Sequence, residues 1–189
     1  MSDRPTGRPR TIDPDAVSLV ALRLFDDRGY DAVSMDDVAA AAGVSRRSLF
    51  RLFPTKGALV WGCLEEFAAR LRAALDARPA GEPSADGLRA AYRAAATFPD
   101  GVVETTRHRL RVIRADPALD REGTPRIAGL EDHLTRFVAA HDGGDPADLG
   151  PAVRAAAWSG AAIAALTWWA SSDEGRPEDA VDRALRELR

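Results

Sequence analysis

The sequence predicts an all-α protein, and three observations carry that prediction. Apolar residues recur every three to four positions along most of the 189 residues, no stretch alternates with a convincing period of two, and the separators are rich in Gly, Pro and Asp. With 46% hydrophobic and 29% charged residues but only 6% aromatic, the composition suits a soluble helical protein better than a β-sandwich or a disordered tail. A chain of this length buries a core without disulfide or metal staples, either as one large domain or as a small one joined to a larger.

The elements follow in order. Residues 1–12 read as a flexible basic arm, in which Arg4, Arg8 and Arg10 are interrupted by Pro5, Gly7 and Pro9. Asp13 then Pro14 is an N-cap with proline at the first helical position, and Val17, Val20, Ala21 and Leu24 repeat at helical spacing until Gly29. The next helix opens at Ser34, with Asp36 and Asp37 in its first turn, and sets Met35, Val38, Ala39 and Ala42 on one face before Gly43 stops it. Ser45 caps a third helix, which ends near Phe53 because the residue before Pro54 resists helical geometry. Thr55 caps the fourth. Further helices are predicted over 55–77, 85–98, 102–115, 125–141, 147–172 and 177–188, about nine in all. Turn-rich runs separate them: ARPAGEPSADG, FPDG, ADPALDREGTP, HDGGDP and DEGRP.

Charge divides the chain in two. The net charge of -3 argues against a protein that coats nucleic acid by bulk positive charge, yet the first 60 residues hold nine Arg/Lys against eight Asp/Glu. The acidic excess belongs to the remainder, as do all four tryptophans, Trp61, Trp158, Trp168 and Trp169. One cysteine, Cys63, excludes an internal disulfide and a cysteine zinc cluster. It reads as a buried structural thiol. The first residues lack the apolar stretch of a secretory signal, so a cytoplasmic location is expected. Lys56 is the only lysine, and the wealth of Arg and Ala suggests a GC-rich bacterial genome. Between Arg154 and Asp173 lie 18 uncharged residues, long enough for a marginal membrane span but dominated by Ala, Gly and Ser. A buried helix of a soluble protein or dimer is expected there, with no membrane partner.

The most specific signal is Met35 to Phe53, MDDVAAAAGVSRRSLFRLF. Val38, Ala42, Val44, Leu49 and Leu52 hold one helix across another, Ala39 lets them approach closely, and Gly43 accepts the positive φ of a tight turn. That is the pattern of a helix-turn-helix. It leaves Arg46, Arg47, Ser48 and Arg51 exposed at the end that such motifs present to the major groove. Arginine suits the position, since its planar fork bonds both acceptors of a guanine edge.

With the preceding helix and the following FPTKGAL, residues 11–60 resemble the TetR family of bacterial transcriptional regulators, through ALRLFDDRGYDAVSMDDVAAAAGVSRRSLFRLFPTKGALV. The resemblance implies a DNA-binding unit of three helices at 13–57 and a larger ligand-binding and dimerisation domain at 58–189. By the same resemblance Ser34 and Lys56 contact phosphates, Arg46, Arg47 and Ser48 read bases, and Ser45, Phe50 and Arg51 lie beside them. Phe50 and Leu52 stand where many members have Tyr, and Tyr or His, so those phosphate bonds are missing and Arg47 and Arg51 compensate electrostatically. Arg8 and Arg10 admit two readings, a tail with no fixed role or an arm that follows the minor groove or backbone.

A single recognition helix reads too few base pairs, so a two-fold partner is expected. Ala157, Gly160, Ala161, Ala164 and Trp168 share a face of the long late helix, and the resemblance places the dimer's four-helix seam at 147–172 and 177–188. The resemblance also implies a small-molecule effector in the larger domain. Polar or aromatic residues on its apolar helices are candidate lining: Trp61, Tyr92, His108, Arg111, His133, Phe137, Trp158 and Trp169. From PALDREGTPRIAGLEDHLTRFVAA onward the spacing resembles the mycofactocin-system regulators, which implies a hydrophobic or acyl-CoA-like effector.

Enzyme readings find no support, for G-x-S-x-G, P-loop, G-x-G-x-x-G and H-E-x-x-H are all absent. No catalytic residue, cofactor or metal ligand is expected. The function expected is that of a homodimeric transcriptional repressor, released from a palindromic operator by a small-molecule effector. A DNA-binding regulator without effector control is the alternative, followed by a small-molecule-binding protein or enzyme on the same scaffold.

Overall fold

Each of the first four helices begins where a short polar side chain takes up a free backbone N–H. In the computed structural model, which describes residues 12–172 and 175–188, Asp13 accepts from the Asp15 N–H at 3.0 Å and opens α1 (Pro14–Arg28). Ser34 opens α2 (Met35–Ala41) with a capping box: its hydroxyl accepts from the Asp37 N–H at 3.1 Å, and the Asp37 carboxylate takes the Ser34 N–H at 2.8 Å. Ser45 accepts from the Ser48 N–H at 3.1 Å to open α3 (Arg46–Leu52), and Thr55 from the Ala58 N–H at 3.2 Å to open α4 (Lys56–Trp61). Gly43, between α2 and α3, has φ of 64°. An L side chain there would be strained, although a Cβ would meet nothing within 4 Å.

The chain continues through α5 (Leu64–Asp76), α6 (Ser84–Ala96), α7 (Asp100–Ala115), α8 (Pro117–Asp142), α9 (Leu149–Ser171) and α10 (Pro177–Leu185). The described residues thus form ten helices and no strand. Two boundaries depart from expectation. The helix predicted over 55–77 is interrupted at Gly62 and Cys63, where a Cβ on residue 62 would stand 2.8 Å from the Ala58 carbonyl oxygen. The helix predicted from 125 starts instead at Pro117: Asp116 accepts from the Ala118 N–H at 2.8 Å, the same Asp-Pro start that opens α1. The backbone stays helical past Gly123 and Pro125, so the expected separator is part of a helix of 26 residues.

Two main apolar cores result. The N-terminal core gathers Leu22, Phe25, Val38 and Leu49 from α1–α3 with Leu59, Val60 and Trp61 from α4. Val112 of α7 and Leu119 of α8 complete it, 2% and 1% exposed. The C-terminal core joins α5, α6, α8, α9 and α10 through residues such as Leu71, Leu88, Leu134, Trp158 and Val181. A smaller cluster holds Trp169, Ala170 and Ala180 against Val103 and Leu110. None of these buried residues is shared between clusters.

The C-terminal core is tight where α6 meets α8. A Cβ on Gly87 would lie 2.6 Å from Cζ of Phe137, whose buried ring is stacked on His141 with centroids 4.0 Å apart and cannot simply swing away. Gly87→Ala is therefore expected to cost about 1–3 kcal/mol by overpacking, which a thermal melt reads as a lower Tm. An unchanged melt would show that α6 and α8 are less closely packed.

α9 is long and apolar enough to cross a membrane by length and composition, with mean hydropathy 1.2 over its most apolar window. Here it is amphipathic in a different sense. One face, with Ala155, Trp158, Ser159, Ala162, Ala165 and Trp169, is buried among the other helices, and the opposite face is open.

Candidate nucleic-acid interface

The reading surface follows from how α3 is held. Leu49 is fully buried in the N-terminal core, so the positions around it on the opposite side of α3 face outward. Arg46, Arg47, Phe50 and Arg51 are exposed there, as two i,i+4 pairs on one face. The Arg46 guanidinium bonds the Asp36 carboxylate of α2 at 2.7 Å and lies 5.3 Å from the centre of the Phe50 ring. No hydrogen bond or ion pair engages Arg47 or Arg51 among the described residues. Arg46 thus adds an exposed ion pair between two helices already held by the apolar core, while Arg47 and Arg51 keep their donors free for base edges or phosphates. Asp36 escaped the sequence reading, where it served only the helix dipole.

The serines are committed locally. Ser45 caps α3 and donates its hydroxyl proton to the Ser48 oxygen at 2.9 Å, and Ser34 donates its own to the Asp37 carboxylate at 2.5 Å. The Ser34 hydroxyl and N–H hold the Asp37 carboxyl below its ordinary pKa. Each serine oxygen points along an exposed helix start, where a phosphate would also find backbone N–H groups.

Lys56 turns inward. Its ammonium donates to the Tyr30 carbonyl and sits over the rings of Tyr30 and Phe25, at 4.1 and 5.5 Å from their centres. Burial lowers its pKa, with Asp31 and Asp116 drawing it back up. It therefore locks the loop between α1 and α2 as well as standing at the start of α4. Arg8 and Arg10 lie outside the described residues, as does the basic arm up to residue 11.

The candidate dimer face is the open side of α9. Ala157, Gly160, Ala164 and Trp168 are exposed on it, and Ala161 is half-buried at its margin against the C-terminal core. Three larger residues missing from the sequence reading extend the stripe: Leu149 at 78% exposed, Val153 at 56% and Ile163 at 48%. Trp168 is 53% exposed, with Arg183 of α10 stacked 4.6 Å from its ring centre. A continuous open apolar face along a 23-residue helix marks an interaction surface.

The eight candidate lining residues do not converge on one cavity. Tyr92, Phe137 and Trp158 pack in the C-terminal core, where the Tyr92 and Ser159 hydroxyls bond at 2.9 Å and burial pushes the phenol up to about 12. Trp61 is in the N-terminal core with its indole N–H unpartnered, and Trp169 in the third cluster donates to the Gly175 carbonyl at 3.0 Å. Arg111 donates to the Ala170 carbonyl at 2.7 Å. His133 lies 3.2 Å from Asp76, and His108 lies 2.8 Å from Asp26 of α1 and 3.2 Å from Glu104. His108 thus links α7 to α1.

Comparison with known proteins agrees with this architecture. Residues 19–61 match the family described as bacterial regulatory proteins, tetR family, and residues 82–189 match the MftR C-terminal domain. A candidate mycofactocin biosynthesis transcriptional regulator, MftR, of Mycobacterium tuberculosis is 36% identical over 181 residues, 95% of this chain and 90% of the relative. The HTH-type transcriptional regulator TcmR of Streptomyces glaucescens is 31% identical over 131 residues, 66% of this chain and 58% of the relative. Among solved structures, the fatty acid degradation regulator FadR of Bacillus halodurans has the same fold, with a TM-score of 0.65 at 14% identity over 96% of each chain. So does a TetR-like regulator of Rhodococcus sp. RHA1, with a TM-score of 0.58 at 21% identity over 95% of this chain and 97% of that one. A helix-turn-helix with free arginines on its outer face, carried on a helical body that matches the same kind of protein in both halves, is a transcriptional regulator and not an enzyme: the chain belongs to the TetR family.

Proposed function

We propose that the protein acts as a homodimeric repressor that binds a palindromic operator in the bacterial cytoplasm and is released from it by a small-molecule effector. The observation that carries the DNA half of this reading is the exposed arginine face of α3, turned outward by the burial of Leu49 in the N-terminal core. The open apolar stripe of α9 supports the dimer. Pairing through α9 sets two copies of α3 about a two-fold axis, and productive binding requires them to meet successive major grooves ~34–36 Å apart.

Release requires a path from the larger domain to α3, and α7 supplies it. It packs along α1, bonds Asp26 through His108 and gives Val112 to the N-terminal core. A ligand that favours a different position of α7 shifts the dimer toward a spacing of α3 helices that no longer fits DNA. Kinship with MftR over 95% of the chain supports mycofactocin biosynthesis genes as targets.

Footprinting on the DNA flanking the protein's own gene tests the reading. A protected palindrome is the expected result, and protection without two-fold symmetry would overturn the dimeric mode. Lys56→Ala is expected to weaken binding to operator and random DNA by the same few-fold factor, and to lower Tm because the ammonium's bond to the Tyr30 carbonyl and its contacts with the Tyr30 and Phe25 rings are lost. A loss confined to the operator would move Lys56 from backbone contact to base reading.

A further inference from the structure

Arg109 is a buried cation that the fold does not employ. α7 carries arginines at 107, 109 and 111, and the outer two terminate α9: Arg107 donates to the Trp169 carbonyl at 2.9 Å and to that of Ser172, and Arg111 to that of Ala170 at 2.7 Å. Arg109 faces the opposite side of α7 and is only 8% exposed. Its Nε is buried without a hydrogen-bond partner, and it joins no ion pair among the described residues.

Buried polar side chains accompany it. Thr105 and Thr106, 5% and 7% exposed, share this side of α7. Cys63, at the bend between α4 and α5, lies within electrostatic range: burial pushes its thiol up and Arg109 draws it down, while Glu66 pushes it up and Arg70, more weakly, draws it down. Arg70 of α5 is answered by Glu66 at 3.3 Å and lies 4.8 Å from the centre of the buried Phe98 ring. The seam thus holds one positive charge in excess. On the side of Nε the guanidinium is cut off from water with nothing to answer it, an unfavourable arrangement that an anion reaching that side would relieve.

We propose that Arg109 is the receptor for a carboxylate-bearing small molecule, seated between the α4–α5 bend and α7. A guanidinium bonds a carboxylate through two parallel N–H donors, and a monoanion matches the single excess charge, whereas a phosphate dianion would leave a charge of its own unanswered. The position suits an effector, and the biological meaning of the site rests on the effector reading above: the preceding residue, His108, bonds α1, and Val112, one turn on, sits in the N-terminal core.

Thermal melts of the full chain with decanoate and with decan-1-ol test the site. Decanoate at a hundredfold excess over its Kd is expected to raise Tm by about 5–10 °C, and decan-1-ol by much less. Arg109→Met should abolish the decanoate shift while leaving the unliganded Tm equal or higher, because it replaces an unpaired charge with an apolar side chain of similar length. Arg109→Lys should retain part of the shift. A lower Tm for unliganded Arg109→Met, no shift of the wild type with decanoate, or equal shifts with acid and alcohol would each overturn the proposal. Operator release is measured separately by fluorescence anisotropy: an Arg109-dependent decanoate shift that leaves the DNA bound supports the carboxylate site and sinks the effector reading.

Discussion

Gly160→Arg combined with Ile163→Arg is expected to split the proposed dimer into folded monomers and to weaken operator binding by about 10²–10⁴-fold. Both positions lie on the open face of α9, where a Cβ on residue 160 meets nothing within 4 Å and Ile163 is 48% exposed. The single chain therefore accommodates the new side chains. A two-fold interface sets each patch near its own copy, so four added charges of one sign come together where apolar surface was buried. Sedimentation velocity gives the mass, circular dichroism the helix content, and anisotropy the affinity. A variant that remains dimeric would place the interface elsewhere.

Arg47→Ala is expected to lower operator affinity by roughly 5- to 150-fold, the effect of losing one bidentate base contact of ~1–3 kcal/mol. On random DNA the loss should be a few-fold, since only a phosphate-range charge disappears. Arg46→Ala should discriminate less between sequences, because Asp36 already engages that guanidinium at 2.7 Å. Binding measured on the operator and on a base-substituted panel separates the two. Equal losses on every sequence for Arg47→Ala would remove it from base reading.

Much of this was legible in the residues. Asp13, Ser34, Ser45 and Thr55 each cap a helix as their position before an apolar run implies, and the helix-turn-helix lies where its glycine and apolar spacing put it. These are local signals. The start of α8 was legible too, but Asp116-Pro117 stood among turn formers that masked it. What escaped depends on tertiary neighbours. An alanine-rich helix does not say which flank is open, so Leu149, Val153 and Ile163 emerged only once α9 was packed. In RHRLRVIRA every arginine resembles a solvated charge, and only the placement of α7 separates the buried Arg109 from Arg107 and Arg111.

The N-terminal core has a consequence for chimeras. A split after residue 57 suits the motif, yet the core also draws on Trp61, Val112 and Leu119. The DNA-reading unit is therefore no transplantable cassette. Cut at that point, it would leave Leu22 and Phe25 facing the space those side chains filled. A graft of this specificity onto a relative must carry matching residues on α7 and α8.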